Sequence, residues 1–175
     1  MIRIGIVDDH AVVRAGLRQY LADHVDLRVT GEAANGAQAL ELARGGEVDV
    51  LLMDISMPDQ SGVDALKAIK ARFPELAVLI LSGFPEAHYA TNLLRLGASG
   101  YLNKECEPDE IVLAIRTVSM GRKYISQAVA TLLAGLNRYR HTQLSAAVLF
   151  DLRHDLFAHL QRLSPSFWAR WRTGD

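Results

Sequence analysis

Four short apolar runs, each closed by a polar or charged residue, constrain this chain more than any other feature. Ile4-Gly5-Ile6-Val7 runs into Asp8-Asp9, Val50-Leu51-Leu52-Met53 into Asp54, and Gly100-Tyr101-Leu102-Asn103 into Lys104; Ala77-Val78-Leu79-Ile80-Leu81 ends in Ser82. Runs this short, separated by helix-like segments, read as strands buried on both faces of a parallel sheet. Ligands of such sheets collect at the carboxyl ends of the strands. The pattern therefore predicts three carboxylates, one hydroxyl and one ammonium gathered around a single point.

The segments between the runs carry helix periodicity. Val13, Leu17 and Leu21 recur at four-residue spacing over about residues 10–22, one face of a helix. Leu27 to Ala34 reads as a further strand closed by Asn35-Gly36, and a helix over residues 37–43 stops at Gly45-Gly46. Leu66, Ile69 and Phe73 mark the next helix, which Pro74 ends. Tyr89, Leu93 and Leu96 mark another, stopped by Gly97, and a last helix runs from Pro108 to about Ser119. Five strand–helix units in alternation predict an α/β, doubly wound, five-stranded parallel sheet of the flavodoxin-like order 2-1-3-4-5. That order sets strands one and three side by side, so Asp8-Asp9 and Asp54 flank the topological switch point.

Composition narrows the classes that need weighing. Half of the 175 residues are hydrophobic and 22% are charged, the profile of a globular protein. No apolar stretch approaches the roughly 18 residues a membrane span requires. Met1-Ile2-Arg3-Ile4-Gly5 leads directly into a strand rather than a signal peptide, and the single Cys106 suits a reducing compartment. The expectation is a cytoplasmic protein without a membrane partner. Charge is uneven along the chain: through Ile125 thirteen Lys and Arg face seventeen Asp and Glu, whereas the remainder has six against three. An acidic front with a basic tail suggests two functional parts.

Three carboxylates in partly buried surroundings repel one another and lose hydration unless something positive joins them. A hard divalent cation answers that need, and Mg²⁺ suits a site of few carboxylates and several waters. Lys104 adds a second positive charge, and the Ser82 hydroxyl can hydrogen-bond an oxygen of a tetrahedral group. Asp54, facing both cations, becomes a carboxylate nucleophile for phosphoryl transfer. Taken singly, each residue has an ordinary explanation: a helix cap for Asp8-Asp9, a strand-end turn for Ser82, a surface position for Lys104, a core position for Tyr101. Together, those explanations demand four independent coincidences at strand ends. The six His show no metal-ligand spacing; His10 reads as a helix-start residue near the cluster and Cys106 as a packing residue.

Asp8-Asp9, Asp54 with Met57-Pro58 and Gly62 behind it, Ser82, and Tyr101 three residues before Lys104 resemble the receiver domain of bacterial two-component response regulators, over roughly residues 2–120. Gly97-Ala98-Ser99-Gly100-Tyr101-Leu102 followed by Lys104-Glu105, and Gly121-Arg122-Lys123-Tyr124-Ile125-Ser126, resemble the NarL/FixJ class. The resemblance implies that Asp54 is the phosphoacceptor for a sensor histidine kinase. It implies that Asp9 and Asp54 ligate Mg²⁺ directly, that Asp8 acts through water, and that the Ser56 carbonyl completes the site. It also implies that Ser82 and Tyr101 move together as a switch while Lys104 holds the phosphoryl group. Phe84, two residues after Ser82, is expected to border the phosphate and to alter dephosphorylation by blocking the approach of water.

The organisation expected is a receiver domain over 1–121, a helix and linker over 122–143, and a helical C-terminal tail over 144–175. In the NarL/FixJ class a helix-turn-helix DNA-binding module follows the linker. Gln143-Leu144-Ser145-Ala146 is similar to that module's opening, but about thirty residues follow Ser145, room for one long helix and a short one. Leu144, Val148, Leu152, Leu156 and Leu160 form an amphipathic stripe suited to docking on the receiver or pairing with a second copy. The tail thus reads as a truncated or atypical output region. The expected function is phosphorylation-switched transcription regulation, with DNA binding implied by the subclass and a homodimer formed on phosphorylation. The alternative is a receiver-only interaction or dimerisation module, or phosphate sink, without DNA binding. No enzymatic activity is expected beyond Mg-dependent self-phosphorylation and self-dephosphorylation at Asp54. An aspartyl-phosphate phosphatase is disfavoured, because Ser56 stands where such enzymes carry their second Asp.

Overall fold

A computed structural model of the chain describes residues 1–57, 62–83 and 86–126, with residues 86–89 described in their backbone alone. The tail over 144–175, most of the linker, Pro58 and Phe84 lie outside the described residues.

In chain order the elements are β1 (Ile2–Val7), α1 (Ala11–Ala22), β2 (Leu27–Ala33), α2 (Gly36–Gly45), β3 (Val50–Met53), α3 (Gly62–Arg72), β4 (Ala77–Ser82), α4 (Glu86–Arg95), β5 (Gly100–Asn103), α5 (Pro108–Ser119) and β6 (Tyr124–Ile125). All strands pair in parallel, in the order β2-β1-β3-β4-β5-β6. The expected order 2-1-3-4-5 is present, extended by one short strand at the β5 edge. Two residues are too few for an alternation pattern to mark. What makes the strand is the turn before it, where Gly121 adopts φ 75° and the Tyr124 N–H then reaches the Ser99 carbonyl at 2.8 Å.

Burial explains the strand composition. β3 and β4 are buried at every residue, whereas β2, the outer strand, alternates buried ends with exposed middle positions. Right-handed crossovers place α1 and α5 on one face and α2, α3 and α4 on the other. On the first face Ile4, Ile6, Val50, Leu52, Leu79, Leu81 and Leu102 pack with Leu21 of α1 and with Ile111, Ile115 and Val118 of α5. Their alternates Leu51, Met53, Val78, Ile80 and Tyr101, also buried, turn to the opposite face. Burying a side chain such as Ile115 contributes on the order of 2 kcal/mol.

Local signals set the helix ends. The Asn35 side chain accepts from the Gln38 N–H at 2.9 Å and starts α2. Gly46, at φ 68°, stops it in the left-handed conformation that glycine adopts without penalty. Pro108 occupies the first turn of α5, where its missing N–H leaves no bond unmade.

Candidate functional site

The parallel ladder continues one step beyond the strand tips, and that step positions the charged residues. The Asp8 N–H donates to the Ala33 carbonyl at 3.1 Å, the Asp54 N–H to the Val7 carbonyl at 2.8 Å, and the Lys104 N–H to the Ser82 carbonyl at 2.8 Å. Asp8, Asp54 and Lys104 therefore leave the sheet from one edge, with their backbones held in register by the strands.

Each of the two buried carboxylates divides its oxygens between two tasks. Asp8 Oδ1 accepts from the His10 backbone N–H at 2.8 Å, and Asp54 Oδ1 accepts from the Ser56 backbone N–H at 3.0 Å. Both are side-chain-to-backbone bonds two residues ahead, a geometry natural to Asp at a turn. The other oxygens, Asp8 Oδ2 and Asp54 Oδ2, face a single ammonium: Lys104 Nζ lies 2.8 Å from the first and 2.9 Å from the second. The carboxylate side chains are only 3% and 1% exposed, while that of Lys104 is 27% exposed. Burial by itself lowers the pKa of the Lys104 ammonium. Its hydrogen bonds to Asp8 and Asp54, with their charges, outweigh that and hold it above its ordinary value. The lysine is a fixed cation shared by two acids.

Surrounding residues brace this arrangement. Arg14 Nη1 donates to the Asp8 carbonyl at 2.6 Å while its Nε reaches Glu32 at 3.2 Å, tying α1 and β2 to the end of β1. Gly62 begins α3 directly beneath the Asp54 loop. A Cβ there would lie 2.4 Å from Ile55 Cα and 2.8 Å from the Asp54 carbonyl oxygen, so only glycine permits this approach. Ser82 is fully buried at the end of β4, and Tyr101 is buried in β5 opposite Ile80.

A second group sits on the Asp8 side. Asp8, Asp9 and His10 bring one carboxylate or imidazole atom each to within 4.8 Å of one another. His10 Nδ1 lies 2.9 Å from Asp9 Oδ1 and 3.2 Å from Asp8 Oδ1. Asp9 Oδ1 is buried, and that contact lacks hydrogen-bond geometry. Asp54 is outside this group and joins it through Lys104. The structure thus brings Asp8, Asp54 and Lys104 into direct contact, places Asp9 beside Asp8, and sets Ser82 and Tyr101 on the neighbouring strands. Ser56 contributes its backbone N–H to Asp54 and leaves its side chain exposed. Sequence reasoning missed Arg14; it placed His10 near the cluster at the start of α1, as found, but not its direct contact with both carboxylates. The i+2 spacing from Asp8 to His10 is the one signal that could have shown the latter.

Strand-end acids sharing one lysine at the switch point of a 2-1-3-4-5 sheet define a receiver-type signalling fold. The chain belongs to the response regulator receiver domain family, whose model matches residues 4–116. It is 39% identical over 134 residues to the response regulator UvrY of Escherichia coli (strain K12), an overlap of 77% of this chain and 62% of UvrY. The chain thus matches about three-fifths of the length of that relative. Among solved structures, a LuxR-family two-component response regulator from Aurantimonas sp. SI85-9A1 is similar, with a TM-score of 0.72 and 32% identity over 77% of this chain and 96% of that one. So is RcsB from Salmonella enterica serovar Typhimurium bound to the promoter P1flhDC in the presence of the phosphomimetic BeF3-, with a TM-score of 0.69 and 26% identity over 78% of this chain and 68% of that one. These relatives agree with the NarL/FixJ class expected from Gly97–Leu102 and the segment after α5. Among the described residues, no helix is long and apolar enough to cross a membrane.

Proposed function

We propose that this chain is the phosphorylation-switched part of a two-component pathway, with Asp54 as phosphoacceptor. The observation that carries the reading is the Lys104 ammonium held between Asp8 Oδ2 and Asp54 Oδ2. It fixes a positive charge beside one oxygen of a buried carboxylate whose other oxygen is engaged by its own loop. An Asp54 oxygen attacks the phosphorus of a kinase phosphohistidine; the P–N bond breaks, the imidazole leaves with its electron pair, and Asp54 becomes an acyl phosphate. Lys104 then exchanges the Asp54 carboxylate for a phosphoryl oxygen, and the Ser82 hydroxyl bonds another. Tyr101, one strand away, follows Ser82 and carries the change outward.

The residues fit a divalent cation of the Mg²⁺ class, because Asp9 Oδ1 is a buried oxygen without a hydrogen bond beside a second carboxylate and near solvent. Asp8, Asp9, Asp54 and the Ser56 carbonyl would hold it, and bound there it would neutralise charge on the phosphoryl oxygens. Asp54 here turns its free oxygen to Lys104, so forming that full set requires the lysine to yield. No catalysis beyond phosphorylation and dephosphorylation of Asp54 itself belongs to this reading, which places the chain in the cytoplasm with a sensor histidine kinase as partner.

The output is transcription regulation, supported by similarity to RcsB, which has been solved bound to a promoter. The chain binds duplex DNA as a homodimer once phosphorylated, in a salt-dependent manner. A second reading is an interaction module or phosphate sink without DNA contact. Intact-mass measurement after treatment with Mg²⁺ and acetyl phosphate tests the core of the proposal. One added phosphate on the native chain and none on Asp54→Ala is expected; a phosphate retained by the variant would sink it. Duplex binding strengthened by acetyl phosphate separates the two outputs.

A further inference from the structure

We infer that His10 is a nitrogen ligand of the cation held at the Asp8–Asp9 corner, so that this site favours first-row cations that accept imidazole, such as Mn²⁺, over Mg²⁺. The inference rests on the metal reading above and adds to it the ligand type and the class of cation.

The placement of the imidazole is the first ground. His10 is the N-cap residue of α1, yet its side chain makes no capping hydrogen bond. Its backbone N–H is taken by Asp8 Oδ1, which fixes the residue's position, and the ring's Nδ1 hydrogen-bonds that same oxygen at 3.2 Å rather than capping the helix. Although the side chain is 66% exposed, Nδ1 faces the two carboxylates. It therefore sits at the solvent-facing edge of the site, where an ion would enter.

Distance is the second ground. Two ligand atoms about 2.1 Å from an octahedral ion and at right angles to each other are about 3.0 Å apart. His10 Nδ1 and Asp9 Oδ1 are separated by 2.9 Å, with Asp8 Oδ1 at 3.2 Å from the same nitrogen. The pair already has the separation of neighbouring ligands. The Asp9 oxygen involved is the buried one that lacks a hydrogen bond, so a cation would satisfy it and the imidazole together.

The third ground is chemical. An all-oxygen site suits Mg²⁺, whereas replacing one oxygen by imidazole raises affinity along the series from Mn²⁺ to Cu²⁺ and does little for Mg²⁺. A histidine here would thus widen and reorder the range of metals that support Asp54 chemistry.

The full chain, His10→Phe, His10→Ala and Asp9→Asn are each titrated with Mn²⁺ and with Mg²⁺ by calorimetry. Pulsed EPR of the Mn²⁺-loaded protein reads the coupling of a directly bound nitrogen. The native chain is expected to show that coupling and to bind Mn²⁺ more tightly than Mg²⁺. Both His10 variants are expected to lose the coupling and about tenfold in Mn²⁺ affinity, with Mg²⁺ affinity changed by less than about twofold. Mn²⁺ bound to the native chain without nitrogen coupling, or coupling that survives both substitutions, overturns the role of His10 and leaves the carboxylate site standing. Failure of either cation to bind, or binding indifferent to Asp9→Asn, overturns the metal reading and this inference with it.

Discussion

The two ends of the β1–β3 pair handle charge in opposite ways. At the carboxyl end, two almost fully buried acids share one lysine. At the amino end, Arg3 meets Asp49 through Nη2–Oδ1 at 2.8 Å and Nε–Oδ2 at 3.3 Å, reaching Glu47 as well, with the Arg3 and Asp49 side chains more than a third exposed. The exposed pair is better matched in shape, a planar fork on a carboxylate. The buried trio has one cation for two anions. An arrangement chosen for stability alone would not leave a buried acid half-compensated, so the contrast marks the carboxyl end as the functional one.

The largest effect expected from breaking that contrast is at Lys104. Lys104→Ala leaves two buried carboxylates facing each other and should destabilise the fold by about 3 kcal/mol, the low end for a broken buried pair because the ammonium is partly solvated. A urea midpoint unchanged from the native chain would show that water, rather than the lysine, compensates the acids. Next comes Gly62→Ala, whose new methyl meets the backbone of Ile55 and Asp54. A loss of about 2 kcal/mol is expected, together with slower phosphorylation as the Asp54 loop is displaced; a neutral result in both assays would mean that α3 can step back.

The smallest effect is at the amino end. Asp49→Asn should lower the urea midpoint far less than Lys104→Ala. The hydrogen bonds and charge of Arg3 hold the Asp49 carboxyl below its ordinary value of 3.8, against the opposing effect of burial. A depressed carboxyl stabilises the fold above that ordinary value and loses its contribution as pH falls through the folded one. The difference between Asp49→Asn and the native chain should therefore be constant near neutrality, begin to shrink as pH falls toward 3.8 and vanish at still more acidic pH. A difference that persists in acid would assign the effect to packing.

Legibility followed the same division. Strand ends were readable because a parallel strand buried on both faces has no polar residues until it leaves the core, so Asp8, Asp54, Ser82 and Lys104 announced themselves. The helices were found by periodicity, with ends displaced by a residue or two: the helix expected over 37–43 runs Gly36–Gly45, and Phe73 falls just beyond α3. β6 was invisible because it rests on one turn and two residues. Arg14, and the contact of His10 with both acids, were missed for a related reason. Their roles depend on where α1 leaves β1, and the sheet order alone does not fix that angle.

The split duty of the carboxylate oxygens has one more consequence. In Asp8 and Asp54 one oxygen is locked into its own loop by a main-chain amide, and the other faces the Lys104 ammonium. Whatever arrives at this corner can displace a single side-chain ammonium and leave every main-chain bond around it intact. Such a socket can be filled and emptied repeatedly while its walls stay in place.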